Sequence, residues 1–157
     1  MTNQEYIQHY LEYIKFEKRL STLTVKNYHR DITLLLEISS RKALDELTID
    51  DIRMSVSKLH ARGLNGKSLS RMISAWRGLF DFLNQRFNFM HNPTLGIRAP
   101  KDKKQLPQTL SIDQTMKLVS IKDTSFLGIR DHAIIELFYS SGLRLSELIN
   151  LKIQDIN

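Results

Sequence analysis

The sequence predicts a mainly α-helical protein, with a first domain of four helices followed by the first helices of a second domain. Apolar residues recur every three to four positions along most of the chain, which is the spacing of one helix face. Six glycines and three prolines among 157 residues leave few positions that break helices. No stretch shows the strict alternation typical of a half-buried strand, so an all-helical fold is the better prediction.

The first two predicted helices occupy the first forty residues. The first runs from about Gln4 to Lys18 and places Tyr6, Tyr10 and Ile14 on one face. Ser21 or Thr22 could cap the second helix, because a hydroxyl before a periodic apolar stretch is a typical N-cap. The apolar face of this second helix consists of Val25, Tyr28, Ile32, Leu35 and Leu36.

The third and fourth helices complete the first domain. Thr48 is a plausible cap for the third, with Asp51 three positions later and an end near Gly63. The fourth, from about Lys67 to Phe87, separates apolar and polar residues most clearly on a helical wheel, with Phe82 as the exception. Its predicted core face consists of Leu69, Met72, Ile73, Trp76, Leu79, Phe80 and Leu83.

A linker divides the chain in two. All three prolines, Pro93, Pro100 and Pro107, fall within fifteen residues of one another, and proline resists helix formation. The sequence therefore predicts a first domain over residues 1–90, an extended linker over 91–108 and a second domain over 109–157.

The second domain opens with helices that look too apolar for its size. Ser111 caps a short helix through Val119, and a second helix runs from about Phe126 to Tyr139 and ends at Gly142. Apolar residues cover most of the circumference of the second helix, which is typical of a buried helix. The remaining residues are too few to cover it, so we expect apolar surface to stay exposed.

Positive charge is concentrated in the middle third of the chain. The net charge is +6, and between Arg53 and Lys104 there are eleven basic residues against two acidic ones. Such a field attracts polyanions, nucleic acid above all. The alternative is an ordinary solvated surface kept soluble by lysine and arginine.

Two rows of polar and basic side chains are candidate DNA contacts. Each row follows one helix face, and the longer one extends about 15 Å, while a helix fits the major groove of B-DNA, about 12 Å wide. Either row alone is better explained as a solvated helix face, but two rows together with Lys101, Lys103 and Lys104 favour DNA. The second-helix row is Lys26 and Arg30, and the fourth-helix row is Lys67, Arg71, Ser74 and Arg77.

Several other classes of protein are not indicated. The five histidines form no metal-site pattern and there is no cysteine, so the sequence predicts no metal centre. There is no phosphate-binding glycine loop and no dinucleotide turn, which predicts no cofactor. No apolar run approaches the roughly 18–20 residues that span a bilayer, and no signal peptide is evident. Together with the lack of cysteine, this fits a reducing, cytoplasmic environment.

One segment resembles a known family. Residues 130–148 read RDHAIIELFYSSGLRLSEL. This resembles the segment around the first catalytic arginine of tyrosine site-specific recombinases, the phage integrase family, in their XerC/XerD group. Other stretches of the sequence resemble XerC more than XerD. Stretches similar to the family's second helix, fourth helix and linker are Thr24–Asp31, Ile73–Phe80 and Asn92–Ser111.

The resemblance implies a fold and a site. The fold would be a SAM-like, four-helix core-binding domain followed by the start of a catalytic domain. Arg144 would be the first catalytic arginine, supported by Glu147 at i+3. This assignment is chemically sensible, because a guanidinium stays charged and can hold two non-bridging phosphate oxygens as negative charge develops on them.

The resemblance also implies what the complete enzyme would do. It would recombine double-stranded DNA sites as a tetramer with a second, XerD-like protomer and without a metal or nucleotide cofactor, for dimer resolution or element integration. The family's other catalytic groups, including the tyrosine nucleophile, have no counterpart here, so we expect this chain to bind DNA without cleaving it. The alternatives are a non-catalytic fragment that occupies recombination sites and a helical protein–protein adaptor with a basic face.

Overall fold

The computed structural model describes residues 1–101, 108–120 and 123–155. Across these residues the protein is helical and contains no strand, which confirms the mainly α fold class. The chain forms two compact units, Met1–Lys104 (unit 1) and Gln105–Asn157 (unit 2).

Unit 1 contains the four predicted helices. Ser21, not Thr22, caps the second helix, and its hydroxyl accepts a hydrogen bond from the Thr24 amide at 3.2 Å. Thr48 and Asp51 form the predicted capping box of the third. The helices are α1 (Asn3–Glu12), α2 (Thr22–Ile38), α3 (Ile49–Ala61) and α4 (Gly66–Phe87), with a short 3-10 turn at Leu44–Glu46.

The first helix is not a single α-helix. After Glu12 it continues as a wider π-helical turn, Tyr13–Glu17, in which the Lys18 amide donates to the Tyr13 carbonyl at 3.0 Å. In this turn Ile14 is buried and the Tyr13 ring lies against Phe82, with centroids 4.8 Å apart. Phe82, the exception on the helical wheel, is nevertheless a buried member of the core, where the Tyr10 and Tyr13 rings pack against it.

The core of unit 1 is built around α4. All seven residues of its predicted core face are buried, and α1, α2 and α3 each pack against it. Trp76 is at the centre with no exposed surface, and its Nε1–H donates to the Asp31 carbonyl at 2.8 Å. This bond joins α4 to α2, the two helices that carry the candidate DNA contacts.

The segment after α4 packs against that helix. Asn92 is buried and its Nδ2 donates to Asp81 Oδ1 at 2.7 Å, while its Oδ1 accepts from the Thr94 amide at 2.9 Å. Arg77 Nη2 donates to the Ile97 carbonyl at 3.2 Å. Within the predicted linker, residues 92–97 are thus held on unit 1, and residues 102–107 lie outside those that the structure describes.

Gly78 is required by the position of Tyr10. A Cβ at Gly78 would lie 2.5 Å from the Tyr10 hydroxyl, whose ring is buried. Gly78→Ala should therefore lower the free energy of unfolding by about 1 kcal/mol net, since overpacking outweighs the helix propensity that alanine adds. In a Tyr10→Phe background, which removes the hydroxyl, the same change should be stabilising. Urea denaturation measures both values, and the same sign in both backgrounds would contradict the contact.

Asp51 should make unit 1 sensitive to acid. Hydrogen bonds from the Thr48 amide and hydroxyl, together with Lys42, lower the pKa of Asp51 from 3.8 to about 2. A carboxyl whose pKa is lowered by folding stabilises the protein above its ordinary pKa, and this contribution disappears as the pH falls through about 2. Asp51→Asn should cost about 1 kcal/mol at neutral pH. It should also flatten the acid limb of a stability–pH curve, which exposed Asp45→Asn should leave unchanged.

Unit 2 contains the helices predicted for the second domain. They are α5 (Ile112–Val119), α6 (Phe126–Ser141) and α7 (Leu145–Asn150), followed by a 3-10 turn at Ile153–Asp155. Ser111 caps α5, and Gly142 ends α6 in the left-handed conformation with φ 62°.

Apolar side chains of unit 2 are exposed. None of its described residues is buried, and Phe126 and Ile129 on α6 are 85% and 61% exposed. The interpretation of α6 as a buried helix is therefore wrong within these residues, and the expected exposed apolar surface is confirmed. The physical reason is that only short helices accompany α6. None of the described helices has the length and hydrophobicity needed to cross a membrane.

Candidate nucleic-acid interface

The second-helix row lies on α2 and the fourth-helix row on α4. Lys26 and Arg30 are exposed on α2, as are Lys67 and Ser74 on α4. Arg71 and Arg77 are half-buried, because each donates a hydrogen bond to another part of unit 1. The two rows thus contain both exposed and half-buried cations.

The two rows meet at Asp31. The Asp31 side chain is 1% exposed, and its Oδ2 accepts a hydrogen bond from Arg71 Nη1. Its other oxygen lies 3.9 Å from Arg30 Nε. One carboxylate of α2 is therefore flanked by the guanidinium of its own helix neighbour and by that of an arginine on α4.

The burial of Asp31 affects its protonation. Desolvation raises the pKa of Asp31, and the nearby Arg71 guanidinium opposes that rise because it favours the charged form. The carboxylate and the guanidinium thus depend on each other, since a buried charge without a partner is costly. Arg71 is consequently part of the structure of unit 1 as well as a candidate contact.

Sequence reasoning identified Arg71 and missed its partner. The residues are forty positions apart, and no local pattern pairs them. One signal was present: Asp31 stands three positions after Tyr28 and four before Leu35, among the apolar residues of α2. An acidic residue on a core-facing stripe indicates a buried cationic partner.

A groove runs beside the fourth-helix row. It has a volume of about 910 Å³ and lies between α4 and residues 96–101. Its cations include Arg98, which was not among the predicted DNA contacts. Arg98 is the first arginine or lysine of the predicted linker. Four basic side chains line the groove, and none of the described lining residues is acidic: Lys67, Arg77, Arg98 and Lys101.

The Arg144 site lies in unit 2. Arg144 begins α7 and its side chain is 83% exposed. Its amide donates to Glu147 Oε2 at 2.8 Å and its Nη1 donates to Oε1 at 2.9 Å, so the carboxylate holds both the backbone and the guanidinium. These bonds lower the pKa of Glu147 and keep it ionised. The predicted contact between the two residues is present, and the guanidinium keeps donors for a further oxygen.

No metal-type cluster accompanies these basic groups. Among residues 1–101, 108–120 and 123–155, no three of His, Asp and Glu are grouped as a metal ion would require. The candidate contacts on unit 1 and the Arg144 site on unit 2 are thus each made of cationic side chains, whose chemistry is to bind anions and to stabilise negative charge.

Comparison with known families gives the relationship. Residues 7–86 match the model described as phage integrase, N-terminal SAM-like domain, and residues 108–157 match that of the phage integrase family. The chain belongs to the phage integrase family. The N-terminal match begins in α1 and ends one residue before the end of α4, and the second match contains Arg144.

Individual members of the phage integrase family agree with this assignment. Tyrosine recombinase XerC of Pseudomonas aeruginosa LESB58 is 37% identical over 150 residues, which are 92% of this chain and 49% of that protein. The XerC of Pseudomonas fluorescens Pf0-1 is 40% identical over 156 residues, 94% of this chain and 51% of that protein. The chain spans about half the length of the curated relatives it matches.

Two solved structures share the fold. A crystal structure of XerA recombinase has a TM-score of 0.51 and 26% identity, covering 98% of this chain and 51% of that one. The integrase from mycobacterium phage Brujita has a TM-score of 0.58 at 18% identity, covering 93% of this chain and 48% of that one, and shows likeness of fold alone.

Proposed function

We propose that this chain is the DNA-binding part of a XerC-like tyrosine recombinase and that the second- and fourth-helix rows contact duplex DNA. The observation that carries the proposal is the position of Arg30 and Arg71, which come from two helices and flank one buried carboxylate. Because the rows meet there, they form one basic surface on unit 1 and not two separate solvated faces.

The charge of the adjoining groove supports the same conclusion. An ordinary soluble surface intersperses charges of both signs. The groove beside α4 instead collects four cations without an acidic residue among its described lining. Like charges placed together repel, and a phosphate backbone would relieve that repulsion.

The proposed reaction belongs to the complete enzyme. A tyrosine oxygen would attack a DNA phosphorus, forming a 3′-phosphotyrosyl bond while the 5′ oxygen leaves and takes a proton. Arg144, oriented by Glu147, would hold the non-bridging oxygens as charge develops on them. Strand exchange with a XerD-like protomer in a cytoplasmic tetramer would complete recombination. The nucleophile of this reaction would not be one of the five tyrosines of this chain.

A second candidate function is a non-catalytic fragment that occupies recombination sites. It is favoured by the contrast between the units: unit 1 has a full buried core, whereas none of the described residues of unit 2 is buried. Binding would then be the whole activity of this chain. Sequencing the DNA that follows the last codon of this chain distinguishes the candidates, because only the first candidate requires a reading frame that continues into the half carrying the tyrosine nucleophile.

DNA binding is tested by removing charge from both rows. Lys26→Ala combined with Lys67→Ala should weaken binding to every duplex sequence and reduce the salt dependence of log K by about two. Arg86→Ala is the control, since it removes one charge from the last turn of α4, where Arg86 pairs with Glu17 at 2.9 Å. Fluorescence anisotropy with a labelled duplex measures both. Failure of the unaltered chain to bind DNA would overturn the proposal.

A further inference from the structure

Asp31 is the only charged residue buried among the described residues. Burial of a carboxylate is costly, and a pair of well-packed apolar residues often gives equal or greater stability than a buried ion pair. The Asp31 carboxylate is therefore a destabilising group on the core-facing side of α2, where α2 packs against α4. Stability alone gives no reason for a carboxylate at this position.

The backbone carbonyl and the side chain of Asp31 have different hydrogen-bond partners. The backbone carbonyl accepts from Trp76 Nε1 at 2.8 Å, and this bond secures the packing of α2 on α4. The carboxylate faces the cations instead, with Arg71 on one oxygen and Arg30 beside the other. The side chain of Asp31 therefore acts on the two arginines and is not needed for the Trp76 bond.

The Arg71 guanidinium is fixed but not enclosed. Its side chain keeps 35% of its surface exposed while Nη1 is bonded to Asp31. An arginine held in one orientation has already lost much of its side-chain freedom, and bidentate contact with a base edge requires a defined orientation. A phosphate contact demands less, because a point charge suffices.

We infer that Asp31 is a positioning residue that orients Arg71, and with it Arg30, for recognition of a particular DNA sequence. The inference rests on the proposed DNA-binding function and deepens it. Asp31 makes no contact with DNA itself. Its negative charge weakens the general attraction of the surface for phosphates. The same charge holds the Arg71 guanidinium in the orientation that hydrogen bonds to a base require.

Asp31 is expected to increase the affinity for a preferred sequence and to decrease the affinity for any duplex. Because these two effects on affinity have opposite signs, they can be measured separately. Asp31→Asn keeps the size of the side chain and an oxygen that can accept from Arg71, but it removes the charge. If Asp31 positions Arg71, affinity for a preferred sequence should fall about tenfold, the size expected when one bidentate arginine contact to a base is lost. Affinity for random duplex should stay equal or rise, because the surface becomes more positive.

The probes are two duplexes. One is selected from a random library for binding to the unaltered chain, and the other is a scrambled duplex of the same composition. The control is Asp45→Asn, which makes the same change of charge at an exposed residue of the Leu44–Glu46 turn. The control should shift both affinities together and leave their ratio unchanged, whereas Asp31→Asn should lower the ratio.

A double-mutant cycle tests whether Asp31 acts through Arg71. In an Arg71→Gln background, Asp31→Asn should have no further effect on the affinity ratio. If Asp31→Asn does not fold, as judged by circular dichroism, Arg71→Lys serves instead. It keeps the positive charge but lacks the planar fork, and should lower the ratio with the salt dependence unchanged.

The outcomes separate this inference from the proposed function. DNA binding without a ratio change in Asp31→Asn, or a ratio change that persists in the Arg71→Gln background, would overturn the positioning role alone. So would a selection that yields no preferred sequence. Absence of all DNA binding by the unaltered chain would instead overturn the proposed function.

Discussion

Raising the salt concentration from 50 to 200 mM is expected to weaken binding of duplex DNA by roughly 250-fold, a slope near −4 in log K against log salt. Five cations of the two rows would each displace a counterion on contact with a phosphate, which alone predicts a slope of about −4 to −5. The carboxylate of Asp31 offsets one of them, since it is bonded to Arg71. A slope of about −4, the smaller of these two values in magnitude, is therefore expected.

The salt experiment discriminates between functions as well as between slopes. Anisotropy titrations at four or more salt concentrations give the slope directly. A helical adaptor with a basic face would retain its affinity for a protein partner and show no comparable affinity for DNA. A flat response, or binding that persists at high salt, would be incompatible with a surface that works through phosphate contacts.

Trp76→Ala is expected to be the most destabilising single substitution in unit 1, with a loss of about 3–5 kcal/mol in the free energy of unfolding. The indole is fully buried at the centre of the core, and its removal leaves a cavity that the surrounding helices fill only in part. It also removes the side-chain donor that joins α4 to the Asp31 carbonyl of α2. Urea denaturation followed by circular dichroism measures the loss.

Trp76→Phe separates packing from hydrogen bonding. It keeps an aromatic ring but removes the indole N–H that donates to the Asp31 carbonyl, so the expected loss from the missing hydrogen bond and the smaller ring is about 1–2 kcal/mol. Leu23→Ala is the matched control at a residue that is 68% exposed on α2, and should change stability by less than about 0.5 kcal/mol. Equal losses for Trp76→Phe and Trp76→Ala would show that the indole N–H, not the ring, dominates.

Local signals predicted the helices well. Ser21, Thr48 and Ser111 each begin a helix, and Gly142 ends one, because caps satisfy backbone groups within a few residues of the chain. All seven predicted core residues of α4 are buried, because helical periodicity can be read from consecutive residues; Ala75 and Phe82 are buried as well and were not predicted. These are features in which sequence neighbours are also neighbours in space.

Contacts between distant residues were not predictable in this way. The π-helical turn at Tyr13–Glu17 accompanies an aromatic contact with Phe82, almost seventy residues away. The packing of Asn92 on Asp81 and the bond from Arg77 to Ile97 depend on how the chain folds back on α4. Proline content indicated an extended linker and carried no information about what that segment touches.

The candidate site shows the same division. The residue types and helix faces of both rows followed from spacing, and the contact between Arg144 and Glu147 followed from their separation of three. The role of Asp31 did not. As a consequence, Arg71→Ala is a poor probe of DNA binding, because it leaves a buried carboxylate unpaired and would lower stability together with affinity.

The complete burial of Trp76 also determines what can be seen of this protein in solution. It is the only tryptophan in the chain, so intrinsic emission at the red edge of excitation comes from unit 1 alone. That emission should be blue-shifted and shielded from iodide until the α2–α4 contact opens. Loss of the α5 and α6 helices would leave this emission unchanged but would reduce the far-ultraviolet circular dichroism, to which the helices of both units contribute. The two measurements on one sample therefore distinguish unfolding of unit 2 from unfolding of unit 1.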